Sequence, residues 1–335
     1  MSFPSDGPTP EAAAPPHRAT MARVRHATLR PPTLQPGDVV HLVGPSGWVQ
    51  ADRAAAAMST LAAWGLRPRL GENALKTHFH LAGTDEERLA DLNAAFRDPD
   101  VRGVICLRGG YGAQRIVDGL DFDAVRADPK LFMGFSDITA LHAALWCEAG
   151  LSTVHGPRLS NLHDGARRAL MTTDPVVVAA DEKEDTFGVR VPGRTEGTLL
   201  GGNLTMLAAT AGTRHRLDLT GSILLIEAVS EEPYRVDRSI VQLKRSGWLD
   251  GVAGVAVGQF TECEEGLPSP TVQQVLAEQF GELGVPVLGG LPIGHGEKQA
   301  VVPLGVPAVL DADAGTLTTG SAGIGAGAAV PPKIR

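Results

Sequence analysis

At 335 residues the chain exceeds the roughly 100–200 residues of a typical single domain, so two domains are expected. Its 43% hydrophobic and 20% charged residues are ordinary for a globular protein, and no apolar run reaches the roughly 18 residues that span a bilayer. A formal net charge of -8, with acids and bases interspersed, presents no basic stripe to a phosphate backbone, so neither nucleic acid nor a membrane is an expected partner.

Residues 1–35 are rich in Pro, Ala and charge, lack an apolar stretch able to form a signal-peptide core, and read as a disordered tail with Met21 a second possible start. Folding signals begin at Gly37-Asp38. Val39 to Val43 reads as a buried strand ending in Gly44-Pro45-Ser46-Gly47. Asp52 is expected to cap a helix that runs through Ala63 and stops at Gly65. Thr84 and Glu87 have capping-box spacing, Leu89, Leu92 and Phe96 share a face, and Asp98-Pro99 ends that helix. Gly103 to Leu107 is a second strand, running into Arg108-Gly109-Gly110-Tyr111-Gly112 and a helical stretch; Leu131 to Phe135 is a third. Short apolar strands alternating with helices predict a parallel sheet covered on both faces, with ligands at the strands' C-terminal edge.

The expected organisation is an N-terminal domain over 36–172, a linker over 173–195, a C-terminal domain over 196–325 and a tail over 326–335. Pro175, the charged run Asp181 to Asp185 and Pro192-Gly193 mark the linker. Beyond it the pattern predicts a helix from Asn203 to Ala211, a strand Ile223 to Ile226, and a helix through Ile240 and Leu243. A strand Val252 to Val257, a helix near Gln273 to Phe280 and short strands around Val287 and Val309 follow. The fold class is α/β: a parallel-sheet, flavodoxin-like or Rossmann-like first domain with a smaller α/β second domain. Cys106, Cys147 and Cys263 lie too far apart for a disulfide framework or a metal knuckle, which suits a reducing, cytoplasmic compartment.

A serine hydroxyl needs an exposed turn, a base and donors for the oxyanion before it can act as a nucleophile. Ser136 follows an apolar strand in Gly134-Phe135-Ser136-Asp137 and precedes a helix, as at a nucleophile elbow, though the second glycine of G-x-S-x-G is missing. The same pattern fits a helix-capping serine. Arg108 to Gly112 offers backbone N–H groups, notably that of Gly110, for an oxyanion hole completed by the N–H of Asp137; a plain turn or a phosphate loop fits too. Glu227, after the strand Ile223 to Ile226, is either the start of a solvated loop or an orienting carboxylate. His295, between Gly294 and Gly296, is either a base or an exposed loop residue. His142 is expected to pack within its helix, and Asp237 with Arg238 to form a structural ion-pair network at a helix start. His78, His80 and His155 lack zinc-site spacing, so no metal and no cofactor are expected.

Taken together, the segments from about Gly37 to about Gly320 resemble the LD-carboxypeptidase family of serine peptidases, which includes the microcin-immunity peptidases. The resemblance is carried by Gly44-Pro45-Ser46-Gly47, Arg108 to Gly112, Gly134 to Asp137, His155-Gly156-Pro157, Gly201-Gly202-Asn203-Leu204, Glu227, Glu232 to Arg238, and Gly294-His295-Gly296. It implies a Ser136, Glu227, His295 triad at an interface of two domains, a homodimer, and release of terminal D-alanine from cytoplasmic murein tetrapeptide. Hydrolysis of a microcin-like aminoacyl nucleotide is the alternative within the same chemistry. A non-catalytic nucleotide- or murein-peptide-binding module is the alternative outside it, though neither G-x-G-x-x-G nor G-x-x-x-x-G-K-[ST] spacing occurs. Ala228 departs from the family pattern, which often has an acid after the glutamate.

Overall fold

The structure, a computed structural model, describes residues 28–264 and 270–325. The expected tails over 1–27 and 326–335 lie outside these residues. Residues 28–35, read above as tail, are packed instead: Leu34 is buried, its N–H bonds the Leu170 carbonyl at 2.9 Å, and Leu29 bridges Leu151.

The N-terminal half runs β1 (Val39–Val43), α1 (Ala51–Ala63), β2 (Arg67–Leu70), α2 (Asp85–Arg97), β3 (Val101–Cys106), α3 (Ala113–Ile116), α4 (Phe122–Ala127), β4 (Leu131–Gly134), α5 (Thr139–Ala149), β5 (Thr153–His155) and α6 (Asp164–Met171). Strands β1 to β5 pair in parallel. Alternation explains why they are so apolar: Val39 and Val43 face Leu92, Phe96 and Leu141, whereas Val40 and Leu42 face Ala54, Leu61 and Leu170. The Thr84–Glu87 capping box forms as expected. Asp52 does not cap α1; Gln50 holds that position without a side-chain bond, and Asp52 sits in the first turn accepting from the Arg53 N–H at 2.8 Å. Strand β2 was not anticipated, because Arg67-Pro68-Arg69-Leu70 has no strand alternation and its proline is tolerated at a sheet edge.

The C-terminal half runs β6 (Val176–Ala179), β7 (Arg190–Val191), β8 (Arg194–Asn203), α7 (Leu204–Thr210), β9 (Ser222–Val229), α8 (Pro233–Arg245), β10 (Gly254–Thr261), α9 (Val272–Gly281), β11 (Val287–Leu288), β12 (Val302–Leu304), β13 (Val306–Asp311) and β14 (Thr316–Thr319). Among the described residues the strands form a six-stranded sheet, β12-β5-β4-β3-β1-β2, and an eight-stranded sheet, β6-β14-β13-β8-β9-β10-β11-β7. Two expectations are corrected here. Residues 173–195 are no bare linker, since they supply β6 and β7 at opposite edges of the second sheet. Strand β12 lies within the range expected for the second domain, yet it pairs antiparallel with β5 and so belongs to the first sheet.

The two sheets meet beside α5. The N–H of Asn203, at the end of β8, donates to Thr139 Oγ1 at 2.9 Å, at the start of α5. A Cβ on Gly202 would lie 2.5 Å from the same oxygen, so only glycine allows this approach. The C-terminal ends of β4 and β9 are thereby held side by side.

Candidate active site

Ser136 follows β4 as the first residue of a single 3-10 turn, Ser136–Ile138, that leads into α5. Its φ is +65°, a left-handed conformation that a non-glycine residue adopts only when its surroundings impose it. Phe135, not Ser136, occupies the N-cap position, and no side-chain cap bond is made. The capping alternative therefore does not hold. Gly109 explains how the turn is accommodated: a Cβ there would lie 2.7 Å from the Cβ of Ser136. The glycine-rich turn after β3 is thus pressed directly against the serine.

The hydroxyl faces the other half of the chain. Ser136 Oγ lies 3.1 Å from His295 Nε2, and His295 Nδ1 lies 2.6 Å from Glu227 Oε2. A carboxylate only accepts, so Nδ1 is the donor in this pair, which leaves Nε2 facing the serine hydroxyl. Glu227 is fully buried and lies inside β9, opposite Asn203, which corrects the expectation that the strand ends before it. Its second oxygen, Oε1, has no partner among the described residues. The ring of His295 rests against that of Phe135, with centroids 4.6 Å apart.

Two glutamines brace the histidine loop. Gln259 accepts from the Gly296 N–H at 2.8 Å and donates to the Lys298 carbonyl at 3.0 Å. Gln299 donates to the Gly294 carbonyl at 2.8 Å and accepts from the Arg158 N–H at 3.1 Å. Both are buried, and neither was singled out from the sequence. The available signal was Gln259 itself, an amide between Gly258 and Phe260 in a strand that is otherwise apolar up to that point.

A cavity of about 280 Å³ opens on Ser136 and His295, with Arg108, Gly109, Gly110 and Arg158 among its walls. Gly110, at φ +116°, lines it; Asp137 does not, and its side chain turns away to accept from Ser46 Oγ and the Ala113 N–H. Burial raises the Asp137 carboxyl above its ordinary value, against the opposing effect of these donors. Cys106 also lines the cavity, but burial, with the nearby Asp137 charge, pushes its thiol well above the ordinary value. It offers no competing thiolate at neutral pH.

The remaining candidates lie elsewhere. His142 packs in α5 and donates from Nε2 to the Gly134 carbonyl at 2.9 Å, as expected. Asp237 and Arg238 do not form the expected ion pair: Asp237 accepts from Gln279 at 2.7 Å, and the Arg238 guanidinium lies 5.7 Å from the ring of Tyr234. His78 and His80 sit on an exposed loop, and among the described residues no group of three or more His, Cys, Asp or Glu is arranged to hold a metal ion. No helix among the described residues is long and apolar enough to cross a membrane.

Residues 40–156 match the model of the LD-carboxypeptidase N-terminal domain, and residues 196–310 match that of its C-terminal domain. The chain belongs to the LD-carboxypeptidase family. It is a carboxypeptidase by that membership. Ser136 falls in the first match, Glu227 and His295 in the second. A putative carboxypeptidase of Streptomyces coelicolor is 46% identical over 303 residues, covering 87% of this chain and 96% of its own length. The murein tetrapeptide carboxypeptidase of Pseudomonas aeruginosa is 35% identical over 295 residues, covering 83% and 95%. The solved structure of the microcin C7 self-immunity protein MccF superposes with a TM-score of 0.77 at 24% identity, covering 87% of this chain and 98% of that one, which speaks to the fold.

Proposed function

We propose that this LD-carboxypeptidase is a serine peptidase that hydrolyses the L,D-peptide bond to the terminal D-alanine of murein tetrapeptide in the cytoplasm, a recycling step. One observation carries the reading: a serine in a left-handed turn, a histidine and a buried glutamate from the other half of the chain stand in hydrogen-bond sequence, at 3.1 and 2.6 Å, with the serine and the histidine on one cavity. The Pseudomonas aeruginosa relative supports the substrate by its name. Cys106, Cys147 and Cys263 form no disulfide among the described residues, which fits a reducing compartment.

In this mechanism Ser136 Oγ attacks the scissile carbonyl carbon while its proton passes to His295 Nε2. Glu227 keeps the ring in the required tautomer and stabilises the imidazolium. The N–H of Gly110, on the cavity wall, receives the oxyanion, and the N–H of Asp137, next in the chain to Ser136, is the second donor of this reading although Asp137 does not itself line the cavity. The C–N bond then breaks as His295 protonates the departing amine of D-alanine, leaving an acyl ester on Ser136. Water, deprotonated by His295, attacks that ester and restores the serine.

D-alanine release from murein tetrapeptide by the wild type, Ser136→Ala and His295→Ala tests this. Each variant should lose on the order of 10³-fold or more in kcat. Near wild-type turnover by Ser136→Ala would overturn the serine mechanism. The likeness to the microcin self-immunity fold favours a second reading, hydrolysis of an aminoacyl-nucleotide conjugate by the same three groups. Side-by-side kcat/KM values on the two substrates decide between them.

A further inference from the structure

Three arginines, Arg53, Arg108 and Arg158, are among the residues that line the cavity in front of Ser136 and His295, and no Asp or Glu is. None of the three has an ion-pair partner among the described residues, in a chain where acids outnumber bases by 38 to 30. Arg53 is exposed on α1, and its head group has no hydrogen-bond or ion-pair partner among the described residues. Arg108 and Arg158 are held in place.

Topology sets those two on either side of the serine. Strand β4 lies between β3 and β5 in the sheet, so the turn carrying Ser136 is flanked by the turns that carry Arg108 and Arg158. Arg108 is one residue from Gly109, which presses on Ser136. Its Nη1 donates to the Trp48 carbonyl at 2.8 Å, and its guanidinium lies 5.9 Å from the centre of the Trp48 ring. Arg158 Nη2 donates to the carbonyls of His295 and Gly296, both at 3.2 Å, which ties it to the loop of the histidine. Each arginine therefore keeps Nε and one terminal amine group without a protein acceptor among the described residues, and each head group is oriented by contacts that leave its charge uncompensated. Guanidinium forks of this kind match carboxylates in geometry as well as charge.

An enzyme that removes one residue must distinguish a chain end from a chain interior, and the group that differs is the free carboxylate. That carboxylate is two bonds from the leaving nitrogen. The nitrogen must reach His295 to be protonated, which brings the carboxylate to the side of the cavity where Arg158 is tied. We infer that Arg108 and Arg158 clamp the free C-terminal carboxylate of the peptide and so restrict the enzyme to single-residue removal from chain ends. This rests on the peptidase reading above.

The test compares murein tetrapeptide with its C-terminal carboxamide, which keeps the scissile bond and removes the charge. Wild type should favour the acid in kcat/KM by about 10- to 150-fold, the range of a hydrogen bond to a charged group. In Arg108→Gln and Arg158→Gln the preference should collapse toward one, chiefly through KM, and Arg→Lys at either position should recover part of it. Labelling of Ser136 by a fluorophosphonate reports that each variant is folded. Calorimetry on the Ser136→Ala protein with the acid and the amide reads the same contact without turnover; tighter binding of the acid supports the clamp. An acid-over-amide preference absent in wild type, or unchanged in both Gln variants, overturns the clamp, as does equal binding of acid and amide. Failure of the peptidase reading looks different: wild type then hydrolyses neither compound, releasing no D-alanine from the acid and no D-alaninamide from the amide.

Discussion

Ser46 donates its hydroxyl to Asp137 Oδ2 at 2.5 Å, although the two residues are 91 positions apart in the chain. The same carboxylate oxygen accepts from the Ala113 N–H at 2.8 Å, while Oδ1 has no partner among the described residues. One buried carboxylate thus ties the loop after β1 and the turn after β3 to the residue that follows Ser136. Removing the Ser46 hydroxyl leaves Asp137 with a single donor in a desolvated site, at a cost of about 1–3 kcal/mol. Ser46→Ala should therefore lower the melting temperature and reduce kcat about 10-fold with little change in KM, because the serine turn loses its brace. Thermal melting and steady-state kinetics check this; an unchanged melting point with wild-type kcat would remove Asp137 from the support of the turn.

Glu227 is fully buried with one oxygen on His295 and the other unpaired among the described residues. Glu227→Gln preserves volume and removes the charge. The amide can meet Nδ1 with either its oxygen or its nitrogen, so the tautomer of His295 is no longer dictated, and the imidazolium loses its counter-ion. A fall in kcat of about 10²- to 10⁴-fold is expected, with folding retained and KM nearly unchanged. Retention of kcat within a factor of about three would show that the carboxylate has no part in orienting the histidine.

The strands that carry the site were legible because their signals are local. β1, β3 and β4 are short apolar runs ending in glycine-rich turns, and Thr84 with Glu87 marks the start of α2 by spacing alone. What the pattern could not show depends on partners distant in sequence. β6, β7 and β12 are strands of two to four residues whose identity comes from the neighbour they pair with, and β2 is an edge strand interrupted by Pro68. Glu227 illustrates the same limit: a carboxylate after four apolar residues reads as a strand end, yet the strand continues to Val229 because His295, 68 residues away, partners the charge. Ser136 had the opposite difficulty, since its local sequence fits a cap equally well, and only its left-handed backbone and the approach of His295 separate the two.

Two further histidines bear on behaviour in acid. His142 and His155 are buried with ring centroids 6.2 Å apart. Burial lowers His142 from 6.5 to about 4, against the opposing bond to the Gly134 carbonyl. Burial also lowers His155, to about 3, with His142 and His295 adding repulsion, and neither of its ring nitrogens has a partner among the described residues. Both histidines therefore enter the folded state neutral, whereas an unfolded chain binds their protons near pH 6.5. Between pH 6.5 and about 4 the unfolded state holds more protons than the native one, so stability is greatest above pH 6.5 and declines as pH falls. Each histidine can contribute up to about 1.4 kcal/mol per pH unit in that window. The melting temperature should be nearly flat from pH 8 to 7 and drop steadily from pH 6.5 to 4.5. His155→Leu removes one titrating group together with a buried ring that lacks hydrogen-bond partners, so its melting temperature should fall less over the same interval. Parallel melting curves for wild type and variant across that range would show that acid lability originates elsewhere.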